Sequence, residues 1–192
     1  MRYIGIKTHL EVNTMRDTYT WKLIKELTDK NVLGTDGMVE SPSRTRQTSR
    51  AIVIDKDGLY AVMYAAKFGL HSLPGGGMEE GESPETALRR EILEETGCSC
   101  DIIEPLGTIA ENRFHANYTA LSYYFVVKCT SEKAYPQLTQ AELDTGTELK
   151  WCSFDEMLHL IKDCEHTTNQ RKFLQARDIA ALEEYQTRFP NA

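Results

Sequence analysis

Three glutamates on one short predicted helix are the residues with the clearest chemistry. Glu91, Glu94 and Glu95 occupy positions i, i+3 and i+4, which places their Cβ atoms about 5–6 Å apart on one arc of a helix. Like charges at this spacing repel, and the negative C-terminal end of the helix adds to the cost. Arg90 offsets only part of this charge. The pattern therefore predicts a hard divalent cation such as Mg²⁺, with a solvated acidic helix face as the alternative.

Local signals bound the helix that carries these glutamates. Ser83-Pro84-Glu85 predicts its start, because a Ser oxygen accepts from free N–H groups and Pro fits the first helical position. Gly97 predicts its end, where a left-handed residue is common. The run Leu73-Pro74-Gly75-Gly76-Gly77 lies just upstream, where glycines let main chain pass close to a ligand. An ordinary strand-to-loop turn is the other interpretation of that run.

These fixed positions together resemble a known motif. Residues 76–98 match the Nudix box, Gly-x5-Glu-x7-Arg-Glu-U-x-Glu-Glu-x-Gly-U with U apolar, if Cys98 serves as the last apolar residue. The resemblance implies an α/β fold, namely an α/β/α sandwich with a mixed sheet. It also implies hydrolysis of a diphosphate linkage in a nucleoside diphosphate derivative, with Mg²⁺ as cofactor and Mn²⁺ as a substitute.

The resemblance also implies a role for each motif residue. Glu91 and Glu95 correspond to the main metal ligands, and Glu94 to a further ligand or the general base. Arg90 corresponds to the residue that orients a glutamate rather than one that contacts substrate. The carbonyl of Gly75 corresponds to a backbone metal ligand.

Other carboxylates are implied only in outline. Glu82 is expected to support the site through water or a hydrogen bond to another ligand. Family members often add a carboxylate from a loop distant in sequence. Glu111, Glu142 and Glu148 are the candidates for that position, and the sequence does not rank them.

Three residues outside the motif are predicted to contact substrate. Arg50 begins the first core strand, where the resemblance implies a cation that contacts phosphate, and Lys67 has a similar position after the second strand. Phe114 can stack on a base. The competing interpretations are a solvated basic linker for Arg50 and ordinary strand packing for Phe114.

The remaining substrate signals are negative. Asn112 stands where the ADP-ribose type has proline, Phe114 stands where the diadenosine-polyphosphate type has tyrosine, and the NADH-type run is missing. His71 stands where the nucleotide-triphosphate type often has Trp. A nucleoside triphosphate, nucleotide sugar, ADP-ribose or dinucleotide therefore all remain open as substrates. The alternative function is a non-catalytic regulatory module that binds a nucleotide ligand through the same fold.

Composition indicates which partners and which cellular compartment to expect. The 192 residues carry a formal net charge of −7, which argues against a nucleic-acid partner because polyanion binding needs a basic face. The five cysteines are odd in number and show no zinc spacing, which indicates reduced thiols in the cytoplasm. Signal-like and membrane-length apolar runs are both missing. We expect a small-molecule partner and no membrane, and a homodimer is left open.

The order of predicted elements divides the chain in two. Residues 49–192 are predicted to form the Nudix domain. Residues 1–48 are predicted to form an N-terminal extension with a strand at residues 3–6 and a short amphipathic helix at residues 18–27.

Hydrophobic periodicity predicts the elements of the larger part. A hairpin is expected from residues 51–54 and 59–64, followed by strands at residues 100–103, 106–111, 120–129 and 149–152. Ser153 is predicted to cap one helix, and a longer helix is expected over residues 169–188. Its core candidates are Phe173, Leu174, Ala180 and Leu182.

Overall fold

An eight-stranded mixed sheet organises the chain in the computed structural model, which describes residues 19–190. The strands are β1 (Leu23–Thr28), β2 (Arg44–Ile54), β3 (Tyr60–Ala65), β4 (Leu70–Ser72), β5 (Gly75–Gly77), β6 (Cys100–Arg113), β7 (Tyr118–Cys129) and β8 (Thr147–Cys152). The helices are α1 (Asp29–Leu33), α2 (Pro84–Thr96), α3 (Gln140–Asp144), α4 (Phe154–Lys162) and α5 (Asn169–Arg188).

The sheet has the strand order β1-β6-β7-β2-β3-β4, and β5 pairs with β2 while β8 pairs with β3. β2 runs parallel to β7 over its whole length, from the pair Arg44–Tyr118 to the pair Ile54–Lys128. β5 pairs with β2 antiparallel, which brings Gly75 opposite Arg50. The glycine-rich run thus lies beside the middle of β2.

Alternation along β2 separates two hydrophobic cores, because successive side chains of a strand point to opposite faces of a sheet. Ala51 and Val53 pack with Leu88 and Ile92 of α2. Ile52 packs on the other face with residues of α4 and α5, among them Phe173. Helices on both faces of a mixed sheet form the α/β/α sandwich, as predicted.

Several predicted elements are confirmed. The hairpin is present as β2 and β3, and its turn is held by the Asp55 carboxylate, which accepts the N–H groups of Asp57 and Leu59 at 2.8 Å each. α2 starts after Ser83, whose hydroxyl accepts the N–H of Thr86, and it ends at Gly97 with φ +68°.

The long predicted helix is present as α5 with the expected bounds. Phe173, Ala180 and Leu182 are buried as predicted, whereas Leu174 is only half-buried.

The predicted helix at residues 18–27 is wrong for the part that the structure describes. β1 occupies Leu23–Thr28 and runs parallel to β6. Trp21 packs its ring edge-on against Tyr123 and Phe125 at 4.9 and 5.1 Å between centroids. Pairing with β6 supplies backbone hydrogen bonds that local periodicity does not encode, so tertiary context overrides a weak helical pattern. The predicted strand at residues 3–6 lies outside the described residues.

The two strands predicted at residues 100–103 and 106–111 are one strand, β6. Its register with β7 shifts between Ile102 and Glu104 and again between Pro105 and Gly107. Such irregularities accommodate Pro105, which has no N–H for the ladder. The division of the chain at residue 48 stays a prediction.

Within residues 19–190, none of the helices combines the length and the apolar character needed to cross a membrane.

Candidate functional site

The glycine loop, residues 73–77, lies against the C-terminal half of α2. The N–H of Gly75 donates to Oε2 of Glu95 at 2.6 Å. Glu95 is only 7% exposed, and burial raises the pKa of its carboxyl to about 8, although the Gly75 N–H and Arg50 oppose this shift. Gly75 has φ +124°, a conformation that favours glycine.

Gly76 lies against a second carboxylate. A Cβ atom at this position would lie 2.5 Å from both carboxylate oxygens of Glu91. Burial raises the pKa of Glu91, and the neighbouring Arg90 opposes that rise. A glycine is therefore needed at residue 76 for the carboxylate to occupy this place.

Arg90 connects the glutamates to one another. Its Nε and Nη2 donate to the two oxygens of Glu82 at 2.9 Å each, a bidentate pair that lowers the pKa of Glu82 to about 2. Nη2 also donates to the carbonyl of Gly77 at 2.9 Å. Nη1 donates to Glu91 at 2.8 Å and approaches Glu94 at 3.4 Å. Arg90 thus fixes the orientation of three acidic side chains.

α5 holds the same loop from the opposite face of the sheet. Oδ2 of Asp178 accepts the N–H of Leu73 at 3.0 Å, and Nη1 of Arg50 donates to the Leu73 carbonyl at 2.9 Å. Oδ1 of Asp178 accepts the Tyr124 hydroxyl at 2.5 Å and Nε of Arg177 at 3.1 Å. Sequence reasoning missed this group. The only signal for it was an Arg-Asp pair within the core-forming helix.

A cleft of about 230 Å³ opens between the glycine loop and the neighbouring strands. Arg50 has a buried Nε that makes no hydrogen bond within the described residues. Its pKa is lowered by burial and by the adjacent Arg177. Carboxylates and guanidinium groups both line the cleft, whose lining residues are Arg46, Arg50, Met63, Ala65, Ser72, Gly75, Gly76, Glu95, Glu142 and Thr147.

The three candidate carboxylates lie at different positions relative to the cleft. Glu142 lines the cleft, and its charge adds to the raised pKa of Glu95. Glu111 is buried elsewhere, in an ion pair with Arg113. Glu148 is exposed on β8 and is not among the cleft residues.

Two predicted substrate contacts lie outside the cleft lining. Lys67 is exposed on a 3₁₀ turn after β3, with its Nζ 6.0 Å from the ring centroid of Phe68. Phe114 is 52% exposed, and its ring packs so closely on Gly37 that a Cβ there would clash at 2.2 Å. Of the three predicted contacts, Arg50 alone lines the cleft.

Arg46 is a cation of the cleft that was not among the predicted substrate contacts. It is exposed in the cleft and makes no ion pair with any described residue. A Cβ on Gly77 would lie 2.7 Å from its Nη2, so its guanidinium borders the glycine loop. Strand alternation was the available signal, because Arg46 and Arg50 are an even number of residues apart on β2.

The donor set fits a partly hydrated divalent cation. Within residues 19–190, no three His, Cys, Asp or Glu side chains are grouped closely enough to hold a metal ion by themselves. Mg²⁺ does not require such a group, since it keeps several waters and uses one or two carboxylates together with substrate phosphates. Burial raises the pKa of both Glu91 and Glu95, and for Glu91 this holds in spite of its ion pair with Arg90, so a metal cation would stabilise both carboxylates as anions.

Comparison with known proteins assigns the family. The model of the NUDIX domain matches residues 44–176, which is more than half of the chain. A MutT-like protein of Streptomyces ambofaciens is 29% identical over 117 residues, covering 61% of this chain and 70% of that protein. An RNA pyrophosphohydrolase of Shewanella sediminis is 44% identical over 59 residues, and this match spans 23% of the chain but only 34% of the relative.

Solved structures share the fold. A NUDIX hydrolase from Nitrosomonas europaea has a TM-score of 0.55 and 24% identity, covering 74% of this chain and 89% of that one. A MutT protein from Methanosarcina mazei has a TM-score of 0.53 and 18% identity, with coverages of 80% and 99%. The chain therefore belongs to the Nudix family of hydrolases.

Proposed function

We propose that the protein is a Mg²⁺-dependent pyrophosphohydrolase that cleaves the diphosphate linkage of a nucleoside diphosphate derivative. One observation carries this proposal: the buried Glu95 shares a cleft with the cations Arg46 and Arg50. A site that contains only carboxylates would repel a diphosphate, and a site that contains only cations would leave no ligands for a metal. The mixture suits a metal and a diphosphate together.

Each side chain has a defined task in this proposal. Arg46 and Arg50 bind and orient phosphate oxygens, since guanidinium groups make bidentate hydrogen bonds to phosphate. Glu94 is the most accessible of the three box glutamates that Arg90 contacts, with 39% of its side chain exposed. It is the general base that takes a proton from the attacking water.

Glu91 and Glu95 would hold the divalent cation, with Gly75 contributing its carbonyl as a further ligand. The bound cation supplies polarisation of the phosphoryl group and activation of water at neutral pH. Arg90 keeps Glu91 and Glu82 oriented through the hydrogen bonds described above. Glu142 is the added carboxylate from outside the motif, because it reaches the cleft.

The proposed substrate is a small molecule and not a nucleic acid. Several relatives are named RNA pyrophosphohydrolases, but the net charge of −7 opposes binding of a long polyanion. We place the protein in the cytoplasm, in keeping with cysteines that are all free. An N-terminal extension of 48 residues remains part of the proposal, and a homodimer stays open.

A substrate panel tests the reaction. Nucleoside triphosphates, nucleotide sugars, ADP-ribose, dinucleotides and coenzyme A are incubated with the protein and Mg²⁺ or Mn²⁺, and release of a nucleoside monophosphate is measured. At least one compound is expected to be cleaved. Glu94→Gln should lower kcat by about 100-fold or more, whereas Glu80→Gln, which changes an exposed acid that is neither a fixed residue of the motif nor a contact of Arg90, should not.

Two results would overturn the proposal. Full activity in Glu94→Gln would remove the assigned base. Saturable nucleotide binding without turnover of any compound would instead support the alternative function, a non-catalytic regulatory module.

A further inference from the structure

A second cavity, of about 350 Å³, lies beside the first residue of β2. We call it the arginine pocket and define it by Arg44, Arg113, Tyr118 and Gln170, which line it. These residues come from the start of β2, the end of β6, the start of β7 and the first turn of α5. The size suits part of a nucleotide-sized ligand.

The arginine pocket is lined by cations without acids. Among residues 19–190, no acidic side chain lines it, although the whole chain is acidic. Arg44 makes no ion pair or hydrogen bond with a described residue, and its guanidinium lies 4.8 Å from the ring centroid of Tyr118. An unpaired guanidinium held against an aromatic ring is available for an anion.

Arg113 is the more rigid of the two cations. Its side chain is 9% exposed, and its Nε donates to Glu111 at 2.6 Å. Its guanidinium lies 5.1 Å from the Tyr118 ring and 4.9 Å from the Phe173 ring. Its Nη1 makes no hydrogen bond with a described residue, so one side of the planar group can still donate to a ligand.

The arginine pocket and the cleft lie on the same face of one strand. The register between β2 and β7 runs without interruption from residue 44 to residue 54, so side chains two residues apart point to the same side. Arg44 lines the pocket and Arg46 lines the cleft. Two residues of a strand span about 6.6–6.8 Å, a distance that one nucleotide bridges.

We propose that the arginine pocket binds a second phosphate group of the substrate, one that is separate from the scissile diphosphate. The substrate is then a nucleoside diphosphate derivative with an additional phosphate on its sugar. This inference rests on the proposed function of the cleft. Arg44 supplies a positive charge that no described acid pairs with, Arg113 supplies a free N–H beside its ion pair with Glu111, and guanidinium groups match the oxygen geometry of a phosphate monoester. A neutral base fits less well, because both guanidinium groups already occupy the surface of Tyr118.

Binding of matched nucleotides tests this inference independently of hydrolysis. Isothermal titration calorimetry compares adenosine 5′-monophosphate with adenosine 3′,5′-bisphosphate and adenosine 2′,5′-bisphosphate, none of which contains a diphosphate linkage. At least one bisphosphate should bind about 10-fold more tightly than the monophosphate. Arg44→Gln should abolish that preference and leave the affinity for the monophosphate unchanged. Lys30→Gln, at an exposed lysine paired with Asp36, should keep it.

The outcomes separate this inference from the proposed reaction. Three results would each contradict the proposal that the arginine pocket binds a second phosphate group. They are equal affinities for the three nucleotides, no measurable binding of either bisphosphate, and a preference for a bisphosphate that survives Arg44→Gln. A preference lost in Arg44→Gln would support the pocket even in a protein that cleaves no substrate. Cleavage of a substrate without the preference would leave the reaction in place and overturn the pocket.

Discussion

Two buried acids hold the glycine loop from opposite faces of the sheet, and they differ in how well they are satisfied. Asp178 on α5 accepts three hydrogen bonds, from Leu73, Tyr124 and Arg177. Glu95 on α2 accepts one within the described residues, from Gly75. A buried carboxylate with several donors is stable as an anion, whereas one with a single donor favours protonation or a cation. We infer that Asp178 maintains the fold and that Glu95 serves the chemistry.

The largest expected effect is the loss of activity in Glu95→Gln. The amide keeps the shape and an acceptor for the Gly75 N–H but cannot serve as an anionic ligand. We expect kcat to fall by about 100-fold or more. The free energy of unfolding at pH 4.5 or below should change by less than about 1 kcal/mol, because both side chains are then largely neutral. Activity assays and urea denaturation measure both quantities. A stable protein with unchanged kcat would contradict the assigned role.

The next largest effect concerns stability in Asp178→Asn. This change removes the nearer of the two carboxylates that pair with the buried Arg177, and only Glu111 remains, at 3.8 Å. Breaking a buried ion pair by removing one partner costs about 3–5 kcal/mol, and urea denaturation should show a loss of this size. Glu183→Gln, at an exposed acid of the same helix, should change the free energy of unfolding by less than about 0.5 kcal/mol. A loss under 1 kcal/mol in Asp178→Asn would remove the distinction between the two acids.

A smaller effect is expected from Tyr124→Phe. The ring stays, and Asp178 loses one of its three donors. A hydrogen bond to a charged group contributes about 1.5–3 kcal/mol, against about 0.5–1.5 kcal/mol for a neutral one. Tyr60→Phe is the matched control, because its hydroxyl pairs with the neutral hydroxyl of Tyr185 at 3.0 Å. Equal losses of unfolding free energy in the two variants would contradict a stronger contribution from the Tyr124–Asp178 hydrogen bond.

A pH slope is the smallest expected effect when it is counted per pH unit. The folded, metal-free protein holds a proton on Glu95 between the ordinary pKa of 4.5 and the raised pKa of about 8, whereas the unfolded chain does not. The free energy of unfolding should therefore fall as pH rises through this window, by at most about 1.4 kcal/mol per unit. Urea denaturation with EDTA at several pH values should show this component in the native protein and not in Glu95→Gln. Parallel curves of unfolding free energy against pH for the native protein and Glu95→Gln would rule out this contribution of Glu95.

The pKa of Asp55 shifts in the opposite direction to the pKa of Glu95. Burial would raise the pKa of Asp55, but Lys133 and the N–H groups of Leu59 and Asp57 bring it below its usual value. The stability that this carboxylate contributes is present above the unfolded pKa and is lost as pH falls. Asp55 shows that hydrogen-bond donors and a nearby cation can outweigh burial in setting the pKa of a buried acid.

Local sequence patterns correctly predicted the features that depend on interactions between residues close together in the chain. The start of α2 at Ser83 and its end at Gly97 depend on capping within one turn, and both were predicted. β1 was mistaken for a helix because its partner, β6, is about 85 residues away in sequence. Of the predicted substrate contacts, Arg50 lines the cleft, whereas Lys67 and Phe114 lie outside its lining and stay predictions.

The sequence by itself determined the acidic helix, the glycine loop beside it and the family to which the chain belongs, because spacing within one helix sets which side chains share a face. Only the tertiary structure decided which acids are left with few partners. Asp178 meets Leu73 across 105 residues, and Glu142 reaches the cleft near Glu95. The positions of Arg44 and Arg46 in two neighbouring cavities also depend on the packing of β2 against distant elements, since burial and charge neutralisation arise only when the chain is folded.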